Sequence, residues 1–273
     1  MSNAAAGRRA AVNGLQMYHE IHGIDRDAQP PIVLLHGAMS NLDTDFGKLL
    51  PALAQSRRVI ALEQQGHGRT ADVDQPLSYE RMADNTAELL RQLQVVNADF
   101  VCYSMGGGIA LELAMRCPGL VRKIVYIGGA AFDPQGFHPE LREAETAMTA
   151  EDLAGTPWQQ AYARLAPNPD AWPALVAKSR DLDLTWRGWT PDQLRSVKAP
   201  TLIINGDADI VRPEHVVEMF QLLGGGVAAD LRGLPRAQLA ILPGTTHVTV
   251  IERTDWLLSM IMPFLDAPMP PPE

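Results

Sequence analysis

The chain has 273 residues, 46% of them apolar and 20% charged. These values are close to globular averages, which excludes wholesale disorder, and the length permits one large domain or two modest ones. With 23 basic and 32 acidic residues the net charge is −9, which argues against a nucleic-acid or anionic-membrane surface, since both need a dense basic patch.

The N-terminal stretch Met1–Ala11 is Ala-rich, and no apolar segment follows it as in a secretory signal. Val12-Asn-Gly14-Leu15 through Gly23 reads as an antiparallel hairpin. Six short runs read as strands covered on both faces, because they are nearly all apolar and do not alternate: Ile32–Leu35, Val59–Leu62, Phe100–Cys102, Ile124–Ile127, Thr201–Ile204 and Leu239–Leu242. Helical patterns lie between them. Tyr79–Gln94 carries a stripe of Met82, Thr86, Leu89, Leu90 and Leu93 behind the N-cap candidate Ser78; Gly106–Arg116 stops at Cys117-Pro118-Gly119; Glu214–Leu223 ends at three glycines.

Strands alternating with helices imply right-handed crossovers and a mostly parallel, twisted α/β sheet. Phe132–Ser196 breaks the alternation. It has no strand-like run, yet holds Trp158, Trp172, Trp186 and Trp189, four of the chain's five tryptophans. Such an insertion covers something, and it reads as a helical lid, with Glu143–Leu153 as one amphipathic helix. The expected organisation is a core of residues 12–131 and 197–266, a lid of 132–196, and flexible termini at 1–11 and 267–273. No run approaches the roughly 18 apolar residues of a membrane span. A chain this long needs no disulfide or metal staple, and Cys102 and Cys117 read as free thiols of a reducing compartment. A cytoplasmic protein is expected.

Ser104 is the chemical focus. It stands where a buried strand runs directly into a helix, Phe100-Val-Cys-Tyr-Ser104-Met-Gly-Gly-Gly108, and a sharp turn there projects its hydroxyl above the sheet. Gly106 lets the turn close, and Gly107 and Gly108 let the helix approach its neighbours. A serine needs a base, and the base an orienting acid. Of seven histidines, His19 and His22 lie on a hairpin at a spacing that forbids a shared metal. His36 and His67 sit in glycine-rich loops as structural hydrogen bonders, His138 lies in the lid, and His215 reads as a solvated helix residue. His247 follows the last strand, where an imidazole reaches the C-terminal edge of the sheet. Asp209, past Gly206, is the preferred acid over Asp207, which reads as a loop stabiliser.

The order Ser104, Asp209, His247, each after a different strand, resembles that of the α/β-hydrolase fold superfamily, and within it the small lid-bearing esterase-type serine hydrolases. The likeness runs from Val12 to about Leu265. Leu34-Leu-His-Gly-Ala38 resembles the family's oxyanion loop, Gln65-Gly-His-Gly-Arg-Thr70 its G-H-G-x-S stretch, and Pro200–Asp209 its acid loop. The resemblance implies that the backbone N–H groups of Ala38 and Met105 form an oxyanion hole. Cys102 stands where the elbow often has glycine, and the Gln64-Gln65 pair has no account from sequence.

The implied activity is cleavage of a carboxylic ester, or of a lactone or thioester, through an acyl-enzyme on Ser104 (EC 3.1.1). Carbon–carbon bond hydrolysis, cofactor-free perhydrolysis and a ligand-binding pseudo-enzyme are the alternatives. Epoxide and haloalkane hydrolysis are disfavoured, because the family's enzymes for those reactions have aspartate at the Ser104 position. The four tryptophans read first as the lid's own core, with one or two of them lining the substrate pocket as the functional reading; Met39, Tyr103, Trp158, Trp186 and Trp189 are the pocket candidates. No cofactor or metal is expected, since no dinucleotide, phosphate-loop or metal-ligand spacing occurs. The expected partner is a small ester-type substrate, with no nucleic acid and no membrane; a homodimer is left open.

Overall fold

The computed structural model describes residues 7–24 and 29–270. Strands β1 (Arg8–Val12) and β2 (Leu15–His22) form a hairpin across Asn13 and Gly14, whose φ values of 47° and 88° suit a two-residue turn with both central residues left-handed. The chain then lays down β3 (Ile32–Leu35), α1 (Leu42–Phe46), α2 (Leu50–Ser56), β4 (Val59–Leu62), α3 (Tyr79–Gln92), β5 (Ala98–Tyr103), α4 (Met105–Arg116) and β6 (Val121–Ile127). Helices α5 (Pro139–Ala147), α6 (Pro157–Leu165), α7 (Trp172–Thr185) and α8 (Pro191–Ser196) follow with no strand between them. The core resumes with β7 (Thr201–Ala208), α9 (Pro213–Leu222), α10 (Ala229–Arg232), β8 (Ala237–Thr246), α11 (His247–Val250) and α12 (Thr254–Asp266).

The strands form one sheet in the order β1-β2-β4-β3-β5-β6-β7-β8, antiparallel at the hairpin end and parallel from β4 onward. Alternate residues of the central strands feed opposite faces, as the pleat requires. Val33, Leu35, Phe100 and Cys102 pack with Met82, Leu89, Ile109 and Leu113 of α3 and α4. Leu34, Val101, Val125 and Ile127 pack on the other face with Phe46, Leu53, Leu257 and Phe264. The chain leaves β3 toward β4 on one side and returns to β5 on the other. That reversal opens a crevice at the C-terminal strand ends, the place where open α/β sheets bind ligands.

Several expectations need correction. Residues 8–11 are part of β1 and not of a flexible terminus; Met1–Ala6 and 271–273 lie outside the described residues. The Leu239–Leu242 run belongs to an edge strand with one side open, and Ile241 is exposed. The expected lid helix over Glu143–Leu153 is instead α5, which starts on Pro139, a residue pre-set for the first helical turn, and stops before Met148, where ψ swings to 130°. Among the described residues, no helix is long and apolar enough to cross a membrane.

Below the sheet, at the N-terminal strand ends, charges are buried. Asp99 is fully buried and takes Arg57 at 2.9 Å and Arg122 at 2.7 Å, and Arg57 also reaches Asp266 of α12. The network ties β5, β6, the end of α2 and the C-terminal helix into one block. Breaking a buried pair strands the remaining charges. Asp99→Ala should therefore cost about 3–5 kcal/mol in unfolding free energy, read from the urea midpoint at constant m.

Candidate active site

The end of β5 passes into α4 through one residue, Ser104, held at φ 52° and ψ −120°. An L-residue in that region is strained by roughly 1–3 kcal/mol, so neighbours must hold it there. Its N–H donates to the Ile127 carbonyl at 2.9 Å, and its carbonyl accepts from Gly107 N–H at 2.8 Å. Gly106 is obligatory: a Cβ there would stand 2.1 Å from the Leu35 carbonyl oxygen. Gly107 and Gly108 face the rings of Tyr126 and Tyr79 just as closely, so α4 sits tight against both. Cys102 faces down into the core, fully buried, and burial pushes its thiol pKa well up, so it is packing and not a nucleophile.

The Ser104 hydroxyl lies 3.0 Å from His247 Nε2, and His247 Nδ1 lies 3.1 Å from Asp209 Oδ1. His247 opens α11 directly after β8, so the imidazole hangs over the strand ends. Asp209 is buried past the end of β7, where it also accepts from the N–H groups of Ile210 at 2.7 Å and Gly129 at 3.2 Å. Asp207 instead accepts from Thr245 N–H at 3.2 Å and does not reach the imidazole. Gly129 was missed by sequence reasoning. A Cβ there would come within 2.9 Å of His247 Cε1, and φ is 65°. Only glycine both gives its N–H to Asp209 and leaves room for the ring.

Asp209–His247–Ser104 is thus a continuous hydrogen-bonded chain of carboxylate, imidazole and hydroxyl. Such a chain can fix the imidazole tautomer, draw the hydroxyl's proton and stabilise the imidazolium that results. Met105 is the first residue of α4, where a helix N–H has no partner inside its own helix, and Ala38 lines the same cavity as Ser104 and Met105.

The loop that carries Ala38 is anchored from two sides. His36 is fully buried; its Nε2 accepts from Gln64 N–H at 3.0 Å and its Nδ1 contacts the Gly37 carbonyl at 2.8 Å. Burial, with His67 beside it, pushes its pKa down to about 3, so the ring stays neutral. From the other side Asp45 of α1 accepts from Gly37 N–H at 2.8 Å and from the Ser40 hydroxyl at 2.5 Å. Sequence reasoning missed Asp45, since an acid in a short helix after Asn41 reads as a capping residue. The Gln64-Gln65 pair also finds its reason here. Gln64 donates to Thr86 at 3.0 Å, and Gln65 to Asp72 at 2.9 Å and the Gln75 carbonyl at 2.9 Å. Asp72 in turn holds Lys178 of α7 at 2.7 Å, which clips this loop to the lid.

The cavity above Ser104 is small, about 50 Å³. Trp186 and Trp189 line it, together with Tyr79, Tyr126, Phe137, Glu145 and Asp183, none of which the sequence singled out. Three other expected pocket residues lie elsewhere. Met39 and Trp158 pack into the lid's own core around Tyr162, Trp172, Leu175 and Val176. Tyr103 sits beneath the site; its ring stacks on His247 at 5.2 Å and its hydroxyl donates to the His247 carbonyl at 3.0 Å. His215, expected in solvent, is buried; it stacks on Phe132 and accepts from Phe132 N–H at 3.2 Å.

Among the described residues no group of three or more His, Cys, Asp or Glu side chains could hold a metal ion.

Desolvation pushes the Asp45 carboxyl up to about 6 against its hydrogen bonds and the nearby His247. A carboxyl raised in this way gives stability that is complete below its unfolded value near 4 and is lost as pH rises through 6. Asp45→Asn removes the ionisation. Unfolding free energies of variant and wild type, compared at pH 4 and pH 8, should therefore move in favour of the variant by about 2 kcal/mol.

A family model described as "Alpha/beta hydrolase family" matches residues 32–259. Among curated proteins, the putative carbamate hydrolase RutD of Rhizobium rhizogenes is 24% identical over 92% of this chain and 98% of its own length. The 2-hydroxymuconate semialdehyde hydrolase of a Pseudomonas species is 26% identical over 88% of each. Among solved structures, the enol-lactonase of Burkholderia xenovorans superposes with a TM-score of 0.69 at 22% identity, over 95% of this chain and 100% of that one. The sheet, the crevice and the family match agree: the chain belongs to the alpha/beta hydrolase family.

Proposed function

We propose that this α/β hydrolase is a serine hydrolase that cleaves a carboxylic ester or a related acyl bond, such as a lactone. The observation that carries the reading is the unbroken run of 3.1 Å and 3.0 Å contacts from Asp209 through His247 to Ser104. Ser104 Oγ attacks the carbonyl carbon while His247 Nε2 takes its proton. The tetrahedral oxyanion is held by the N–H groups of Ala38 and Met105. When the intermediate collapses, the leaving alcohol receives the proton from His247 and an acyl-Ser104 remains. Water, deprotonated by the same imidazole, then releases the acid and restores the serine.

Carbon–carbon hydrolysis stays as the second reading, because the Pseudomonas relative carries the name of a semialdehyde hydrolase and has the same chain length range. It uses the same three side chains on a ketone in place of an ester. The small cavity favours a compact acyl or alcohol group at its inner end.

Ser104→Ala should lower kcat on 4-nitrophenyl acetate by about 10⁶-fold, and a fluorophosphonate should label wild type but not the variant. A turnover unchanged by this substitution would refute the assignment. Turnover confined to vinylogous 1,5-diketones would select the carbon–carbon reading.

A further inference from the structure

Two carboxylates of the lid face the cavity that holds Ser104. Glu145 comes from α5 and Asp183 from α7, and both line it. Both side chains are half-buried, and the open space they share is the cavity. Among the described residues, neither side chain has a hydrogen-bond donor or a basic nitrogen within ion-pair distance. Arg142, one turn before Glu145, acts on both only through space and has its own buried Nη1 unpartnered.

Two carboxylates that face one cavity with no donor from the protein are free to pair with a cation that enters it. The same cavity has an aromatic lining. Trp186 and Trp189 meet edge-on at 5.0 Å, and Tyr79 lies 5.7 Å and 5.5 Å from them. The Trp189 indole is pinned by its N–H donated to Glu112 at 2.8 Å. A positive group set against aromatic faces and beside carboxylates gains from both. An anionic group would be repelled, and a neutral apolar one would leave the carboxylates unpaired at a cost.

We propose that the inner pocket takes a cationic group, so that the substrate is a small ester or lactone carrying a protonated amine or a quaternary ammonium, recognised by Asp183 and Glu145. The inference rests on the serine-hydrolase reading for the reaction, but the recognition itself does not need turnover. Burial and the Glu145 charge raise the Asp183 carboxyl to about 7. The groups facing it are Glu145 and Arg142 from α5 and the phenols of Tyr79 and Tyr126 from the core. Ionisation of Asp183 strengthens cation binding, so the preference should grow as pH rises through neutrality.

Two isosteric pairs test this at pH 8 by pH-stat: β-alanine ethyl ester against ethyl butyrate, and acetylcholine against 3,3-dimethylbutyl acetate. The cationic member of at least one pair should show a kcat/KM about ten times higher, a preference of 1.4 kcal/mol. In the double variant Asp183→Asn, Glu145→Gln the ratio should fall to about one. A neutral preference in both pairs, or a ratio that survives the double variant, overturns the proposal while leaving the hydrolase reading intact.

A second measurement needs no chemistry. Tryptophan fluorescence titrations of the Ser104→Ala protein with n-butylammonium chloride should show binding at least tenfold tighter than n-pentanol, lost in a variant that also carries Asp183→Asn. Equal binding of the two overturns the proposal even if esters are cleaved. Ammonium binding without any ester turnover would instead count against the hydrolase reading alone.

Discussion

The backbone of Ser104 is held at φ 52° by the chain on either side of it, and the rest of the site is arranged around that one turn. The strand cannot relax, because β5 lies between β3 and β6 with every residue buried. Helix α4 cannot back away, because its glycines already touch Leu35, Tyr126 and Tyr79. With the turn fixed, the side chain of Ser104 stands at the strand ends, where the ends of β7 and β8 deliver Asp209 and His247 to it. Tyr103 completes the arrangement from below: one residue before the strained position, it stacks on the imidazole and holds the backbone of His247. A substitution at Tyr103 would act on the placement of His247 and not on the cavity lining.

The α5–α8 insertion builds its own core from Tyr162, Trp172, Leu175 and Val176, with Met39 and Trp158 against it, and it is clipped to the loop after β4 by Lys178 on Asp72. Its remaining tryptophans, Trp186 and Trp189, are turned to the cavity, with Trp189 anchored on Glu112 of α4. Trp158 and Trp172 lie on α6 and α7, whereas Trp186 and Trp189 lie in the segment between α7 and α8, and this placement divides structural from cavity-facing aromatics. Tryptophan identity alone does not reveal it.

How much could be read beforehand follows from the range of the interactions involved. Unbroken apolar runs such as Ile32–Leu35 and Val59–Leu62 mark central strands, because each is rich in β-branched residues, too short for a helix and covered on both faces. The Leu239–Leu242 run has the same look and sits at an edge, since strand order is a property of the whole sheet. Ser104 declares itself through local backbone chemistry, a strand, a serine and glycines in sequence. Asp45, Glu145 and Asp183 do not. An acid on a helix reads as a solvated face, and only the fold of the lid turns two of them inward. Helix α12 escapes notice for a related reason: Pro263 interrupts a pattern that the packing of Leu257, Ile261 and Phe264 nevertheless completes.

The acidic lining has a consequence for the end of the catalytic cycle under the proposed reaction. Ester hydrolysis turns a neutral group into a carboxylate, and here that new anion is born close to Glu145 and Asp183 as well as Asp209. Like charges at short range in a confined, poorly hydrated space push one another apart. Above neutral pH, where Asp183 is ionised, a freed acid that carries no ammonium of its own would be expelled soon after it forms.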